Sequence, residues 1–292
     1  MRKSKVIILF FLIVIIGGVF LFKDSLLDLY SKLSLKLPQI EKGVADFLKE
    51  EVGKQILTPP PLRSQEENLE AFLTRAGVIE FTNTQREKYG LPPLKENYRL
   101  DLSAEVKVQD MFENQYFAHD SPSGVRVGDL AEGVGYEFIA IGENLALGNF
   151  KNDEALVQAW MDSPGHRENI LNNRYQEIGV AVQKGTFEGR TVWLAVQHFG
   201  LPLSACNEPD EKTKTTIEEN QNQIEELQKT LNLLQVEISK MRPKRGSIYT
   251  QKIEEYNSLV AEYNTLLDNN KTLINQYNNQ VQIFNNCVVG TE

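Results

Sequence analysis

Two runs of heptad-spaced apolar residues around a short break limit most strongly what the last third of this 292-residue chain can fold into. Apolar residues at alternating steps of three and four lie on one stripe of a helix, which is the a/d pattern of coiled coils. The break, residues 242–246, contains a proline and a glycine, and both interrupt helices. We therefore predict an antiparallel coiled-coil hairpin over residues 206–288, with arms about 50 Å long. The predicted seams are Ile217, Ile224, Leu227, Leu231, Leu234, Ile238 and Met241, then Tyr256, Leu259, Tyr263, Leu266, Asn270, Leu273, Tyr277, Val281 and Phe284.

The only two cysteines of the chain lie at equal distances from this break. Cys206 and Cys287 are centred on the Gly246/Ser247 junction, so a hairpin that folds there brings them together at its open end. In an exported protein, two adjacent thiols are expected to be oxidised to a disulfide. We predict a Cys206–Cys287 disulfide at the base of the hairpin.

The amino terminus carries a signal for export. Seventeen apolar residues, Val6–Phe22, follow the basic start MRKSK, and as a helix they span roughly 25 Å. No small-residue cleavage pattern follows, and no cysteine for lipid attachment. Residues 1–23 are therefore predicted to form a cytoplasmic tail and an uncleaved transmembrane signal anchor. The basic residues stay inside, which predicts a single-pass protein of the cell membrane with its carboxy-terminal bulk outside the cytoplasm.

The middle of the chain is predicted to contain one globular domain behind a stalk. Residues 24–65 indicate a weakly amphipathic stalk that ends in the proline-rich linker TPPPLRS. Residues 66–203 mix helical periodicity with two strand-like runs, EIGVAVQKG and TVWLAVQHFG, which is typical of an α+β domain. A helix is expected from near Glu66 to Tyr89. The excess of 40 acidic over 31 basic residues argues against a nucleic-acid partner.

Chemistry-bearing residues concentrate in three short stretches of this domain. His119 lies in YFAHDSP, Glu143 in AIGENLALG and His166 in SPGHRENIL. Two histidines and a carboxylate can hold Zn²⁺ or another divalent cation and leave a fourth position for water. The alternative is that each histidine lies in a turn as a surface or capping group. His198 is expected to be a half-buried strand residue with a local hydrogen bond.

The order GLPPL, HDSP, GENLALG, SPGHRENIL, EIGVAV and VWLAVQHFG resembles the bacterial branch of the CAP superfamily, also called the SCP-like domain, over about residues 66–203. This resemblance implies an α-β-α sandwich with a central cleft. Animal members line that cleft with two histidines and two glutamates, and several bind a divalent cation there. Carried over by motif, three of these residues match His119, Glu143 and His166. The fourth position, three residues after Trp160, is Ser163, so the resemblance implies an incomplete ligand set.

Two classes of function follow from the resemblance. The first is a non-catalytic binding module whose cleft, lined by His119, Glu143, His166 and Ser163, holds a small ligand, lipid, glycan, peptide or divalent metal. The alternative is a metal-assisted hydrolase of cell-envelope peptide or glycan, with the metal on the two histidines and Glu143 as ligand or general base. The sequence contains no evident nucleophile with its base, which favours the binding module. The hairpin serves either as a spacer or as a surface for a protein partner or self-association.

Overall fold

The computed structural model describes residues 39–40, 55–68 and 70–290. The predicted membrane anchor and most of the predicted stalk lie outside these residues. No helix in the described part is both long and apolar enough to cross a membrane. The chain divides into two compact units, which contain described residues 55–209 with 280–290, and 39–40 with 210–279.

Within its described residues, the first unit is built on a mixed sheet of six strands. In spatial order the strands run β1, β4, β6, β5, β3, and β2 also pairs with β4. The β4–β6 and β6–β5 pairs are antiparallel, whereas β1 and β2 run parallel to β4 and β3 runs parallel to β5. The strands are β1 (Gln55–Leu57), β2 (Leu62–Glu67), β3 (Lys95–Glu96), β4 (Phe138–Asn149), β5 (Glu177–Phe187) and β6 (Arg190–Pro202).

Five helices among the described residues of this unit cover both faces of the sheet. One face packs against α1, α4 and α5, and the other packs against α2 and α3. Successive side chains of a strand point to opposite faces, and β4 shows this directly. Its Leu145 and Leu147 pack under α2, while Ala146 packs on the opposite side. The helices are α1 (Arg75–Lys88), α2 (Tyr98–Asn114), α3 (Val127–Gly133), α4 (Asp153–Asp162) and α5 (Pro164–Ile170). The predicted α+β sandwich is confirmed.

The region predicted as a stalk and linker contributes two strands to this sheet. Thr74 caps α1 by accepting a hydrogen bond from the Gly77 amide, so the helix begins at Arg75 and not near Glu66. The residues before it are extended, and β1 and β2 pair with β4. The boundary at residue 65/66 was therefore placed too late, because a proline-rich sequence shows an extended backbone without showing what it pairs with.

A buried arginine fixes the end of α5 to α1. Arg86 is fully buried, and its guanidinium donates to the carbonyl oxygens of Pro92, Ile170 and Asn172 at 2.8–2.9 Å. Burial lowers the pKa of Arg86. Pro92 follows α1, whereas Ile170 and Asn172 are at and just after the end of α5, so this side chain ties the end of α5 to α1 and the loop that follows it.

Two long helices, α6 (Glu211–Lys240) and α7 (Ser247–Val289), follow the domain and break where the sequence predicted. Their contacts run antiparallel, as shown by the Asn220–Asn270 hydrogen bond and the Lys252–Glu237 ion pair. The first seam matches the prediction at Ile217, Ile224, Leu231, Leu234 and Ile238.

The second seam is displaced by one residue at alternate positions. Leu267 and Ile274 are buried, whereas the predicted Leu266 and Leu273 are only half-buried. The buried positions from Leu267 to Val288 then alternate in steps of three and four, which is the regular heptad spacing. The prediction was wrong here because two adjacent apolar residues offer two equally hydrophobic registers.

The Cys206–Cys287 disulfide is present, with a Cα–Cα distance of 5.8 Å. Both cysteines belong to the first unit. Phe284 and Val288, from the same final turns of α7, are buried in the main core of this unit, and the Val288 carbonyl accepts from Arg174. The end of α7 is therefore an integral part of the α+β domain.

Candidate functional site

Glu143 lies at the centre of a buried cluster of polar side chains. It is on β4 directly opposite His198 of β6, so both side chains point to the face covered by α2. The Glu143 carboxylate is fully buried and accepts from His119 Nδ1 at 2.6 Å and from His198 Nε2 at 2.9 Å. Both of its oxygens are therefore occupied by histidines.

The hydrogen bonds around Glu143 keep it ionised. Burial alone would raise the pKa of Glu143, but the bonds from His119 and His198, with the charges of His198 and Lys107, outweigh it and lower the pKa to about 2. His198 is fully buried, and its Nδ1 is 2.6 Å from the Ser103 hydroxyl on α2. Glu143 is therefore a structural anion at neutral pH and not a carboxylic acid.

His119 connects Glu143 to the outer edge of the sheet. It lies in the loop between α2 and α3, with Nδ1 on Glu143 and Nε2 against the carbonyl oxygen of Pro59. Both of these oxygens only accept, so both bonds form when the ring carries two protons. Buried Lys107 positions the loop, because its ammonium donates to the His119 carbonyl at 2.5 Å and to the Tyr116 hydroxyl at 3.2 Å. Burial lowers the pKa of Lys107, while Glu143, Asp110 and Asp120 oppose that change.

His166 is held by Ser163. Ser163 separates α4 from α5, where Pro164 starts the new helix, and its hydroxyl lies 2.8 Å from His166 Nδ1. The other ring nitrogen, Nε2, is buried and has no hydrogen-bond partner within the described part of the chain. Burial lowers the pKa of His166 to about 4, and the nearby charge of His119 adds to the effect. This histidine is neutral at neutral pH.

Three buried amides connect α5, β4 and β6. Asn144 neighbours Glu143 in the strand and so points to the opposite face, where its Nδ2 faces the His166 carbonyl and the Gln197 oxygen at 3.2 Å. Asn169 of α5 faces Asn144 at 2.9 Å and the Glu143 carbonyl at 3.2 Å, and also donates to the Leu57 carbonyl at 3.1 Å. The loop of His119 and the start of α5 thus lie on opposite faces of β4.

The structure brings together part of the predicted set. His119 and Glu143 are in direct contact. His166 contacts neither of their side chains by a hydrogen bond, since its ring is held by Ser163. The expected local role of His198 is wrong, because it binds Glu143 and is as buried as Glu143 itself. Lys107 was missed as well. The strand register that places His198 opposite Glu143 would have indicated its role, but a single sequence does not show register.

The arrangement of donors does not suit a divalent metal. Both Glu143 oxygens face histidines, and both His119 nitrogens face oxygen atoms, which leaves only His166 Nε2 among the predicted ligands. Among the described residues, no group of three His, Cys, Asp or Glu side chains is placed to hold a metal ion. In this arrangement Glu143 accepts hydrogen bonds from the two histidines that face it.

The lowered pKa of His166 predicts a pH-dependent stability. In the folded protein the ring protonates near pH 4, against about 6.5 in the unfolded chain, so protonation favours unfolding and stability falls as the pH drops between these values. We expect the stability advantage of wild type over His166→Asn to shrink by up to about 3 kcal/mol between pH 7 and pH 4. Urea unfolding of both chains across this range measures it. Burial raises the pKa of Asp101 to about 6, so protonation of Asp101 stabilises the fold as the pH drops. Both chains contain Asp101, so this contribution cancels when their stabilities are subtracted. A difference that does not change with pH would contradict the assignment.

Residues 79–199 match the family model described as the cysteine-rich secretory protein family, CAP. The chain is 42% identical over 116 residues to the uncharacterized protein YkwD of Bacillus subtilis, which is 40% of this chain and 43% of YkwD. It is 35% identical over 107 residues to the uncharacterized membrane protein YlbC of the same organism, which is 37% of this chain and 31% of YlbC.

Among solved structures, an extracellular protein containing a SCP domain from Bacillus anthracis is 30% identical, with a TM-score of 0.38 and coverage of 43% of this chain and 39% of that chain. The chain spans less than half the length of each of these relatives. Residues 79–199, which lie within the α+β domain, are therefore a CAP domain, as the motifs indicated.

Proposed function

We propose that this protein is a membrane-anchored binding module that acts outside the cytoplasm, and that its CAP cleft binds a ligand without converting it. The observation that carries this proposal is the outward nitrogen of His119, which presents an N–H to a carbonyl oxygen while Glu143 fixes the ring from behind. The His119 ring is held in place by Glu143, so its second nitrogen is a fixed hydrogen-bond donor. A fixed donor of this kind can recognise the carbonyl oxygen of a ligand.

The same cluster argues against hydrolysis. A serine–histidine pair is present, since the Ser163 hydroxyl lies 2.8 Å from His166 Nδ1. A catalytic histidine also needs a group that orients its second nitrogen, and His166 Nε2 has no such partner within the described residues. Glu143 could act as a general base only by giving up a histidine, and its low pKa makes it a weak base.

The cellular location is part of the proposal. The apolar run Val6–Phe22 behind a basic start supports a single-pass anchor with the domain outside. YlbC is named a membrane protein, and the Bacillus anthracis neighbour is described as extracellular. The disulfide agrees with an oxidising compartment.

We propose the α6–α7 hairpin as a surface for a protein partner or a second copy. Leu233 and Val236 on α6 are 74% and 50% exposed and are three residues apart, so they share one helix face. This face is separate from the buried seam, which leaves it free for a partner.

Native mass spectrometry of the full chain, extracted from its own envelope in detergent, tests the binding function. After incubation with rising amounts of envelope peptide, glycan and lipid fractions, we expect wild type to retain an unmodified ligand and His119→Ala to lose it. Tyr89→Ala, at a side chain that is 59% exposed, should behave as wild type. Time-dependent cleavage that His119→Ala abolishes would favour the hydrolase, and no retained mass at any concentration would remove the proposal.

A further inference from the structure

The outer edge of β4 is paired before and after Glu143 but not beside it. β1 leaves this edge with Leu57 opposite Gly142, and β2 rejoins it with Leu62 opposite Ala146. The four residues between them, Thr58–Pro61, pass the positions of Glu143 to Leu145. Three of the four are prolines, which have no N–H for a sheet ladder. The break in pairing therefore falls at the functional cluster and has a cause in the sequence.

Two backbone carbonyls of residues 57–59 are bound by side chains of the site around Glu143. The Leu57 carbonyl accepts from Asn169 Nδ2 at 3.1 Å, and the Pro59 carbonyl meets His119 Nε2. In an extended chain, carbonyls two residues apart point in the same direction. His119 and Asn169, which lie on opposite faces of β4, therefore bind two carbonyls of one extended backbone.

Glycine 165 sets what fits between these donors. Pro59 is buried, whereas Pro60 beside it is exposed. A Cβ atom on Gly165 would lie 2.7 Å from the Pro59 Cβ, so the first turn of α5 is already in contact with the proline ring. The space accepts a compact ring and excludes a larger side chain.

We propose that this edge of the CAP domain is a docking groove for an extended, proline-containing peptide, and that residues 55–62 occupy it as an internal ligand. This inference rests on the proposed binding function and assigns its ligand class. The peptide adds to β4 as a parallel strand, a common mode of peptide recognition. Residues 55–62 lie ahead of residues 79–199, the region that matches the CAP family model.

The internal ligand is held by few bonds and can be displaced. β1 has three residues, two of them exposed, and the register of β2 shifts between Arg63 and Glu67. The internal segment is covalently linked to the groove, which gives it an effective concentration on the millimolar scale. An external peptide must outcompete that concentration, so the wild-type groove binds such peptides weakly.

Peptide binding to full-length variants tests this inference. The probe is a fluorescein-labelled peptide with the sequence QILTPPPLR of residues 55–63. In Pro59→Trp the larger side chain clashes with Gly165, so residues 55–62 no longer occupy the groove. We therefore expect the probe to bind this variant at least about tenfold more tightly than wild type. Pro60→Trp, at the exposed neighbour, should bind it as weakly as wild type. His119→Ala added to Pro59→Trp should abolish binding, and a probe with Trp in place of the buried proline should not bind.

Equal binding by Pro59→Trp and Pro60→Trp, or no binding by either, would overturn the inference. Amide exchange over residues 55–57 gives a second measurement, since Pro59→Trp should speed the exchange of the amides of this strand that donate to β4, while Pro60→Trp should not. If the exchange of wild type slows with protein concentration, the occupant comes from a second copy and the internal assignment is wrong. If the opened variant retains a lipid or glycan but no peptide, the binding function stands and the peptide assignment fails.

Discussion

Replacing Glu143 by alanine is expected to lower the free energy of unfolding by about 3–5 kcal/mol, because it removes the buried carboxylate that accepts from His119 and His198 and faces the Lys107 charge. His198 Nε2 is fully buried, and Lys107 nearby also depends on this negative charge. Glu143→Gln keeps the shape but points an amide N–H at one histidine, so a smaller loss of about 1–3 kcal/mol is expected. Urea unfolding near pH 7 measures both.

Glu105→Ala is the matched control for this prediction. Glu105 also pairs with a cation, Arg75, but both side chains are more than a third exposed, so its loss should change stability by less than about 1 kcal/mol. The depressed pKa of Glu143 gives the sign of a pH test. Its stabilisation is complete above about pH 4.5 and is lost as the pH falls toward about 2. Equal effects of Glu143→Ala and Glu105→Ala would refute the central role of Glu143.

The Cys206→Ser/Cys287→Ser double variant is expected to lose about 4 kcal/mol of stability in the α+β domain. The bridge closes a loop with a sequence separation of 81, and loop-closure entropy of that length gives this magnitude. Opening the bridge also frees the final turns of α7, whose Phe284 and Val288 lie in the core. Thermal unfolding with and without reductant measures the loss.

Reductant provides the control for the disulfide. Wild type should fall to the stability of the double variant when reduced, and the double variant itself should not respond. If reduction leaves the unfolding of wild type unchanged, the bridge contributes nothing and the packing of Phe284 and Val288 alone holds the helix end.

The disulfide and the hairpin break were accessible from the sequence because both depend on local patterns. A proline and a glycine interrupt any helix, and two cysteines at equal distances from a turn meet in an antiparallel pair. The register of the second seam was less accessible. Leu266 and Leu267 are adjacent and equally apolar, and only packing against a partner helix selects one of them.

The residues of the functional site were also only partly accessible from the sequence. The motifs of His119, Glu143, His166 and Ser163 indicated a CAP site, and the contact between the first two is present. His198 belongs to that site because of a strand register, and Lys107 because of a helix–loop contact. Both contacts connect residues that are far apart in the chain. Such pairings depend on the whole sheet and are not encoded in any short stretch of sequence.

Residues 58–64 show most clearly what the sequence determines and what the tertiary structure determines. Their prolines determined that the backbone is extended and cannot complete a sheet ladder, since proline fixes φ and lacks an N–H. Whether that extended segment is a free linker or lies against a cleft was decided by the tertiary structure. Gly142 and Ala146 offer a strand edge on either side of Glu143, and His119, Asn169 and Gly165 supply donors and space between them. The physical reason is that local sterics restrict the backbone of a segment, whereas its partners are chosen by surfaces that exist only after the chain has folded.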